Sequence, residues 1–312
     1  MPFVKRTFVL RCIKIMISNK LRFYLIILSE LVIGPWLYAR NFSKWYCGKV
    51  KTNSSAGRIR LPVHHEKLSV CIHEWGGYED RRKKNNKSFK EFECGLHYQL
   101  LRYQNYKGKY DVDVTVTVSE SYRLKKKLDS INVLEVSNIG MDFSGYENFY
   151  NQIKHRENQY IILSNTSVNK IQVDFIDSYL DYFKQNSSIG ILGVSVSSKM
   201  YQSFIKNNFN PHLQSFFLLT TIDVLREIVE SNKGFPGSGI DHKLLLIRKG
   251  EVRLSQVALN LGYKLVCVLE NGEPFYFDKS SFADNGRSAW HIPLGDYRLH
   301  VANPNAINPL KS

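Results

Sequence analysis

Apolar residues along most of this chain come in short runs broken by polar turns, and the periodicities of strand and helix take turns. Residues 68–73 (LSVCIH) form a continuous apolar run of strand length, and 112–118 (VDVTVTV) alternate strictly. Further strand-like stretches cover 132–136, 160–163, 189–196, 211–219 and 263–269. Helical spacing predicts helices over 92–103, 121–128, 145–155, 175–184 and 222–231. A last helix is opened by Glu251, with Leu254, Val257, Ala258 and Leu261 inward and Gly262 suited to its C-terminal cap. Strands and helices alternating at this spacing predict an α/β fold, a mostly parallel sheet with helices on both faces. Ligands of such sheets bind at the carboxyl ends of the strands, which here carry His73, residues 138–142 and residues 164–167.

The breaks between elements add detail. Residues 81–90 (RRKKNNKSFK) read as an exposed loop, and 234–239 (GFPGSG) as either a plain connector or a mobile lid. Phe175, Tyr179, Phe183, Phe216 and Phe217 read as core, whereas Trp75, Tyr78 and Tyr146 fall at loop positions where a ring can stack on a sugar or base. Pro274, Pro293, Pro304 and Pro309 mark the end of the chain as an irregular tail.

The first sixty residues follow a different pattern. Residues 23–39 are apolar between Arg22 and Arg40, but they contain Glu30 and the pair Gly34-Pro35 and fall short of the length of about 20 residues that a spanning helix wants. No small-residue cleavage site follows, so a signal peptide is also a poor reading. Residues 3–17 interleave apolar positions with Lys5, Arg6, Arg11 and Lys14, the composition of a helix lying in an anionic lipid interface. Trp36, Tyr38, Trp45 and Tyr46 suit the headgroup level. The plain alternative is a pair of helices packed on the body with their charges solvated.

Charge changes the picture only once it is divided along the chain. The 312 residues carry 43 Lys and Arg against 28 Asp and Glu, a formal +15. Twelve of those cations and a single acid, Glu30, lie in residues 1–60, so the leader holds +11 and the remaining body +4. A nearly neutral body speaks against a nucleic-acid binder, which needs a basic folded face. The length can bury a core without staples, and the 43% apolar fraction excludes a disordered chain. Cys12, Cys47, Cys71, Cys94 and Cys267 never form a CxxC pair, which points to a reducing compartment and to space-filling thiols. No phosphate loop, dinucleotide fingerprint, HExxH or GxSxG stretch occurs, and His64-His65 has no companion at metal-ligand spacing.

Four blocks in order carry a resemblance: 137–146 (SNIGMDFSGY), 160–168 (YIILSNTSV), 211–219 (PHLQSFFLL), and 250–256 (GEVRLSQ) with 261–265 (LGYKL). Over residues 68–270 the chain resembles the rhamnan synthesis protein F family of bacterial glycosyltransferases and is similar to family 2 glycosyltransferases of GT-A fold. The resemblance implies a GT-A-like (Rossmann-like) fold and transfer of a sugar from a nucleotide-diphosphate donor to a hydroxyl of a cell-surface polysaccharide, of O-antigen or capsule type. By the same carry-over His73, Glu74, Asn138, Asp142, Asn165, Thr166 and Ser167 border the donor, His212 and Gln214 the acceptor, and Glu251 is the acceptor base. An attacking hydroxyl must lose its proton, so an inverting enzyme wants one carboxylate within hydrogen-bond reach of it; the plain alternative for Glu251 is a helix-opening acid favoured by the dipole.

One position departs from the family. Thr166 stands where the family usually has an acid and related enzymes hold Mg²⁺ or Mn²⁺ against the diphosphate, and hydroxyls are poor sole ligands for a hard cation. Asp142 or another carboxylate then supplies the charge, basic groups stabilise the leaving diphosphate, or the protein is a noncatalytic glycan- or nucleotide-binding member. The reading divides the chain into a membrane-associating segment (1–60), a glycosyltransferase domain (61–275) and an irregular tail (276–312). It places the protein at the cytoplasmic face of a membrane, peripheral or monotopic.

Overall fold

Six of the apolar runs become parallel strands of one sheet. The computed structural model describes residues 18–47, 57–63, 66–74, 81–86, 89–119, 131–200, 202–204, 209–278 and 302–311. The helix expected over 121–128, the residues His64, His65, Trp75 and Tyr78, and the basic stretch 3–17 lie outside them.

The chain opens with α1 (Asn19–Cys47), β1 (Lys67–Glu74), the hairpin β2 (Arg82–Asn86) and β3 (Phe89–Cys94), α2 (Leu96–Gln104), β4 (Asp111–Ser119) and β5 (Asn132–Val136). It continues with α3 (Asp142–Ile153), β6 (Tyr160–Asn165), α4 (Ile176–Gln185), β7 (Ile189–Gly193), and a ribbon of β8 (Val196–Lys199) and β9 (Phe209–Leu213). It ends with β10 (Phe217–Thr221), α5 (Ile222–Asn232), α6 (Lys243–Leu246), a π-helical turn (Ile247–Glu251), α7 (Val252–Asn260), β11 (Lys264–Val268) and β12 (Pro274–Phe277).

The sheet runs β12-β11-β7-β10-β6-β1-β4-β5. Strands β10 and β12 are antiparallel to their neighbours, and the other six point one way. This is the mostly parallel α/β architecture that the pattern of runs predicts. Its central strands are covered on both faces, which is why they read as continuous apolar stretches. Leu68, Val70 and Ile72 of β1 point into a layer with Leu100 of α2 and Tyr179 and Phe183 of α4. Cys71, Ile161 and Leu218 point the other way, into a layer with Phe149 of α3, Leu225 of α5 and Val257 of α7. The aromatic residues read as core, Phe175, Tyr179, Phe183, Phe216 and Phe217, are all buried, as are Cys71, Cys94 and Cys267.

Gly145 sets how closely α3 lies on the sheet. A Cβ at this position would stand 2.2 Å from His73 Nδ1 and 2.4 Å from Thr117 Oγ1, so only glycine lets the helix rest directly on the ends of β1 and β4.

Several local expectations are corrected. The stretch 81–90 is the hairpin β2–β3, not a plain loop, and its opposite charges face each other across the strands, with Lys83 and Glu91 3.2 Å apart. The helix expected from residue 92 therefore begins only at Leu96. The strands expected over 189–196 and 211–219 each break in two, because residues near 195 and 214 leave the sheet and bond to each other instead. Glu251 does not open a helix: it ends a π-turn inside a continuous helical run from Lys243 to Asn260, where no free helix N-terminus exists for it to serve. The segment 234–239 is packed, with Phe235 buried and the Ser238 hydroxyl donating to Glu147, so it behaves as a connector. The boundary placed at residue 275 falls inside β12, and residues 302–311 pack on the body, where Ile307 is buried and Asn308 O accepts from the Tyr179 hydroxyl.

Candidate functional site

The sheet changes winding direction beside β1, whose next parallel neighbours are β4 on one side and β6 on the other. The crevice outside the carboxyl ends at such a switch point is where open α/β sheets bind ligands. The structure brings His73 and Glu74 of β1, Ser119 of β4, Asn138 beyond β5, and Asn165 of β6 to this rim, and β10, running the other way, starts there.

Asp142 and Asn165 form one corner of the site. The Asn165 amide donates to Asp142 Oδ2 at 2.6 Å, and Asn165 Oδ1 accepts from the Ser167 backbone N–H at 2.8 Å, an Asx turn that fixes the loop after β6. Asp142 is the first residue of α3, reached through a turn with Gly140 at φ 99° and Met141 at φ 47°. A side chain as large as methionine in the left-handed region carries backbone strain, and such strain concentrates at functional sites. Asn138 is tied to the same rim by the Ser119 hydroxyl, which donates to its Oδ1 at 3.0 Å.

His73, Glu74 and Thr166 lie below the surface of the rim, nearly or wholly buried. The Thr166 backbone N–H donates to His73 O at 3.1 Å, and its buried hydroxyl has no hydrogen-bond partner among the described residues. His73 Nδ1 is 2.9 Å from Thr117 Oγ1, while Nε2 is buried and has no partner among the described residues. Burial lowers the His73 imidazole to about 3, against a smaller opposing effect of the Thr117 bond. The ring is thus neutral when folded, and the unfolded chain binds a proton there below about 6.5. Stability from this group is complete above that pH and is lost on acidification. Urea unfolding at a series of pH values is expected to show stability falling by about 1.4 kcal/mol per pH unit below about 6.5 from this residue. An unchanged slope in His73→Asn would assign the effect to another group.

Glu251 forms the other corner. Its Oε2 accepts from the Ser215 backbone N–H at 2.8 Å and from the Ser215 hydroxyl at 2.9 Å, and His212 Nε2 stands 3.6 Å from Oε1. His212 Nδ1 donates to Asn210 O at 2.7 Å, so the ring presents a second N–H to Glu251 only when doubly protonated. Burial, the largest influence, pushes the Glu251 carboxyl up, but the charge of His212 and the two Ser215 donors outweigh it and hold the group below its ordinary range. Its side chain keeps 16% of its surface exposed.

The two corners are joined. Tyr146 of α3, one turn beyond Asp142, donates its hydroxyl to Ser215 O at 2.8 Å, and the Asn165 N–H donates to Phe216 O at 3.1 Å. The negative charges of both Asp142 and Glu251 reinforce the burial that raises the Tyr146 phenol. Tyr146 is fully buried, which corrects its expected role as a stacking platform. Gln214 is likewise buried and accepts from the Ser195 hydroxyl at 2.6 Å. Reasoning from the sequence overlooked Ser215, which holds Glu251; its only signal was a small polar residue between Gln214 and the paired phenylalanines. It also overlooked the π-turn that swings Glu251 toward the rim, since such turns leave little trace in periodicity.

Among the described residues no three His, Cys, Asp or Glu side chains gather at metal-binding distance. Asp142 is bonded to an amide and Thr166 is a buried hydroxyl, so these side chains do not make a set for a hard divalent cation. A groove at the opposite rim is lined by Arg60, Tyr160 and Lys184, but the Arg60 guanidinium already serves the carbonyls of Phe183, Asn186 and Ile189.

No family model and no curated protein matches the chain. Among the solved structures distantly similar to the chain are the following two. One is a CMP:2-keto-3-deoxy-manno-octonic acid synthetase complexed with CTP, with 13% identity, 65% of this chain and 89% of that chain covered, and a TM-score of 0.39. The other is a mannosyltransferase from Pyrobaculum calidifontis in complex with GDP-Man and Mn²⁺, with 12% identity, 76% of this chain and 65% of that chain covered, and a TM-score of 0.35.

Proposed function

We propose that this chain is a glycosyltransferase that moves a sugar from a nucleotide-diphosphate sugar to a hydroxyl of a cell-surface polysaccharide acceptor, with inversion and with Glu251 as base. The observation that carries this reading is the meeting of Asp142–Asn165 and Glu251–Ser215 at one carboxyl rim, next to the switch point and bridged by Tyr146. One corner offers hydrogen-bonding groups to a nucleotide, and the other offers an ionised carboxylate to an acceptor hydroxyl. In the transfer, the acceptor oxygen forms the new bond to the anomeric carbon and its proton passes to Glu251. The bond from that carbon to the diphosphate oxygen breaks, and the nucleoside diphosphate leaves with both electrons.

The other rim residues act by placement. The carboxylate of Asp142, oriented by Asn165, accepts from a ribose hydroxyl or a base N–H, and Ser167 lies beside the diphosphate. His73, Glu74 and Thr166 support this surface from below, and His212 stands behind Glu251. No step runs through a metal, since the side chains at the donor corner do not suit one. A lipid-linked or oligosaccharide acceptor would place the enzyme at the cytoplasmic face of a membrane, in a capsule or lipopolysaccharide pathway.

The test is a panel of nucleotide sugars, read by thermal shift and by release of nucleoside diphosphate with and without EDTA. At least one donor is expected to raise the melting midpoint and to be turned over slowly by water, with turnover persisting in EDTA. Turnover abolished by the chelator and restored by Mn²⁺ would sink the metal-free form of the mechanism. A shift without any turnover, even with an acceptor supplied, would favour the second reading, a noncatalytic glycan- or nucleotide-binding protein, which the neutral, buried hydroxyl of Thr166 at the rim supports.

A further inference from the structure

Helix α1 sits on the body with its faces the opposite way round from those of an ordinary surface helix. At about 100° per residue, Phe23, Ile26, Ile27 and Glu30 share one side, while Leu21, Tyr24, Leu25, Leu28, Val32 and Trp36 share the other. The first side packs: Phe23 is buried against the His242 ring, Ile26 and Ile27 meet the core, and Asn19 bonds to Gly239 O and Asp241. Glu30 is the acid that makes this segment a poor membrane span, and it is buried here in an ion pair with Arg248 of the π-turn. The Ser203 hydroxyl and the Phe204 N–H also donate to it, at 2.9 and 3.0 Å. The second side is open: Leu28 is 56% exposed, Trp36 63% and Val32 82%. A surface helix that buries its acid and exposes a leucine stripe marks an interaction face.

We propose that this outward face of α1 docks the protein on an anionic lipid surface, with the helix lying in the plane of the interface. The charges select this occupant. Lys20 and Arg22 are exposed at the N-terminal end of the stripe, on either side of it, and the face holds no acid to oppose them. The preceding residues 1–17 add Lys5, Arg6, Arg11 and Lys14 and no acid, a composition that suits a phosphate-bearing surface. No helix among the described residues is long and apolar enough to cross a membrane, and aromatic Tyr24 and Trp36 on the stripe suit the interfacial level. The buried Glu30–Arg248 pair locks this face outward and ties it to the turn that ends in Glu251. The inference goes beyond the proposed transfer chemistry and stands without it.

The test is flotation of the full chain with phosphatidylcholine vesicles, with or without phosphatidylglycerol, which requires neither donor nor acceptor. Flotation is expected with the anionic vesicles, reduced by high salt, and lowered at least about tenfold in Leu25→Glu/Leu28→Glu/Val32→Glu. Those side chains face outward, so the far-UV spectrum and melting midpoint should be unchanged, which separates lost docking from lost folding. Equal flotation of the triple variant and the native chain would overturn the proposal, as would no flotation on either vesicle. A native dimer that the triple variant turns into a monomer, without vesicle binding, would assign the face to a second copy. Stronger flotation after removal of residues 1–17 would assign it to that segment.

Discussion

Glu251→Gln is expected to lower the rate of sugar transfer by about 10²–10⁴-fold and to leave donor affinity unchanged. The amide keeps the shape of the side chain and can still accept from the Ser215 N–H, but it cannot take the acceptor's proton. The loss should therefore appear in kcat with the donor KM nearly constant, and donor binding by calorimetry should match the native protein. A companion variant probes how the carboxylate is tuned. Ser215→Ala removes a donor that holds Glu251 below its ordinary range, so the acid limb of the pH–rate profile should move to higher pH. Native transfer rates in Glu251→Gln would remove this residue from the chemistry and leave it as a tether for Ser215.

Glu30→Ala is expected to destabilise the fold by about 3–5 kcal/mol, because it leaves the Arg248 guanidinium buried without its counter-charge. Arg248→Ala should cost a similar amount by leaving the buried Glu30 carboxylate without its counter-charge, held only by the Ser203 and Phe204 donors. Urea unfolding should show the midpoint fall with an unchanged slope. An apolar pair of similar volume, Glu30→Met/Arg248→Met, should recover much of the loss, since desolvating two charges offsets most of what their attraction returns. Single variants within about 0.5 kcal/mol of the native chain would mean that this pair is solvated and does not anchor α1.

How much could be read in the chain depends on the range of the interactions involved. The runs at 68–73, 160–163 and 263–269 announce buried strands because both faces of a central parallel strand must be apolar, a requirement met residue by residue. The helices α3, α4 and α5 follow from spacing within one helix, with bounds shifted by at most three residues. The breaks near 195 and 214 were not legible: the Ser195–Gln214 bonds that create them join residues nineteen apart in the chain, and apolar runs on either side look continuous. The hairpin β2–β3 was hidden in the same way, since its lysines and glutamates resemble a solvated loop until they are paired across strands.

The chain by itself determined that this is an α/β protein whose polar strand ends lie on one rim, that its positive charge is concentrated in a hydrophobic leader, and that Asp142 and Asn165 fall at or near such ends. These follow from local periodicity and composition. Only the tertiary structure decided that Ser215 grips Glu251, that Tyr146 is a buried strut between the two corners, and that Glu30 faces inward to Arg248 while the leucines of α1 face out. Each of those depends on groups brought together by crossing strands or docking a helix, and no pattern within a single segment records which distant group will supply a charge or a hydrogen bond.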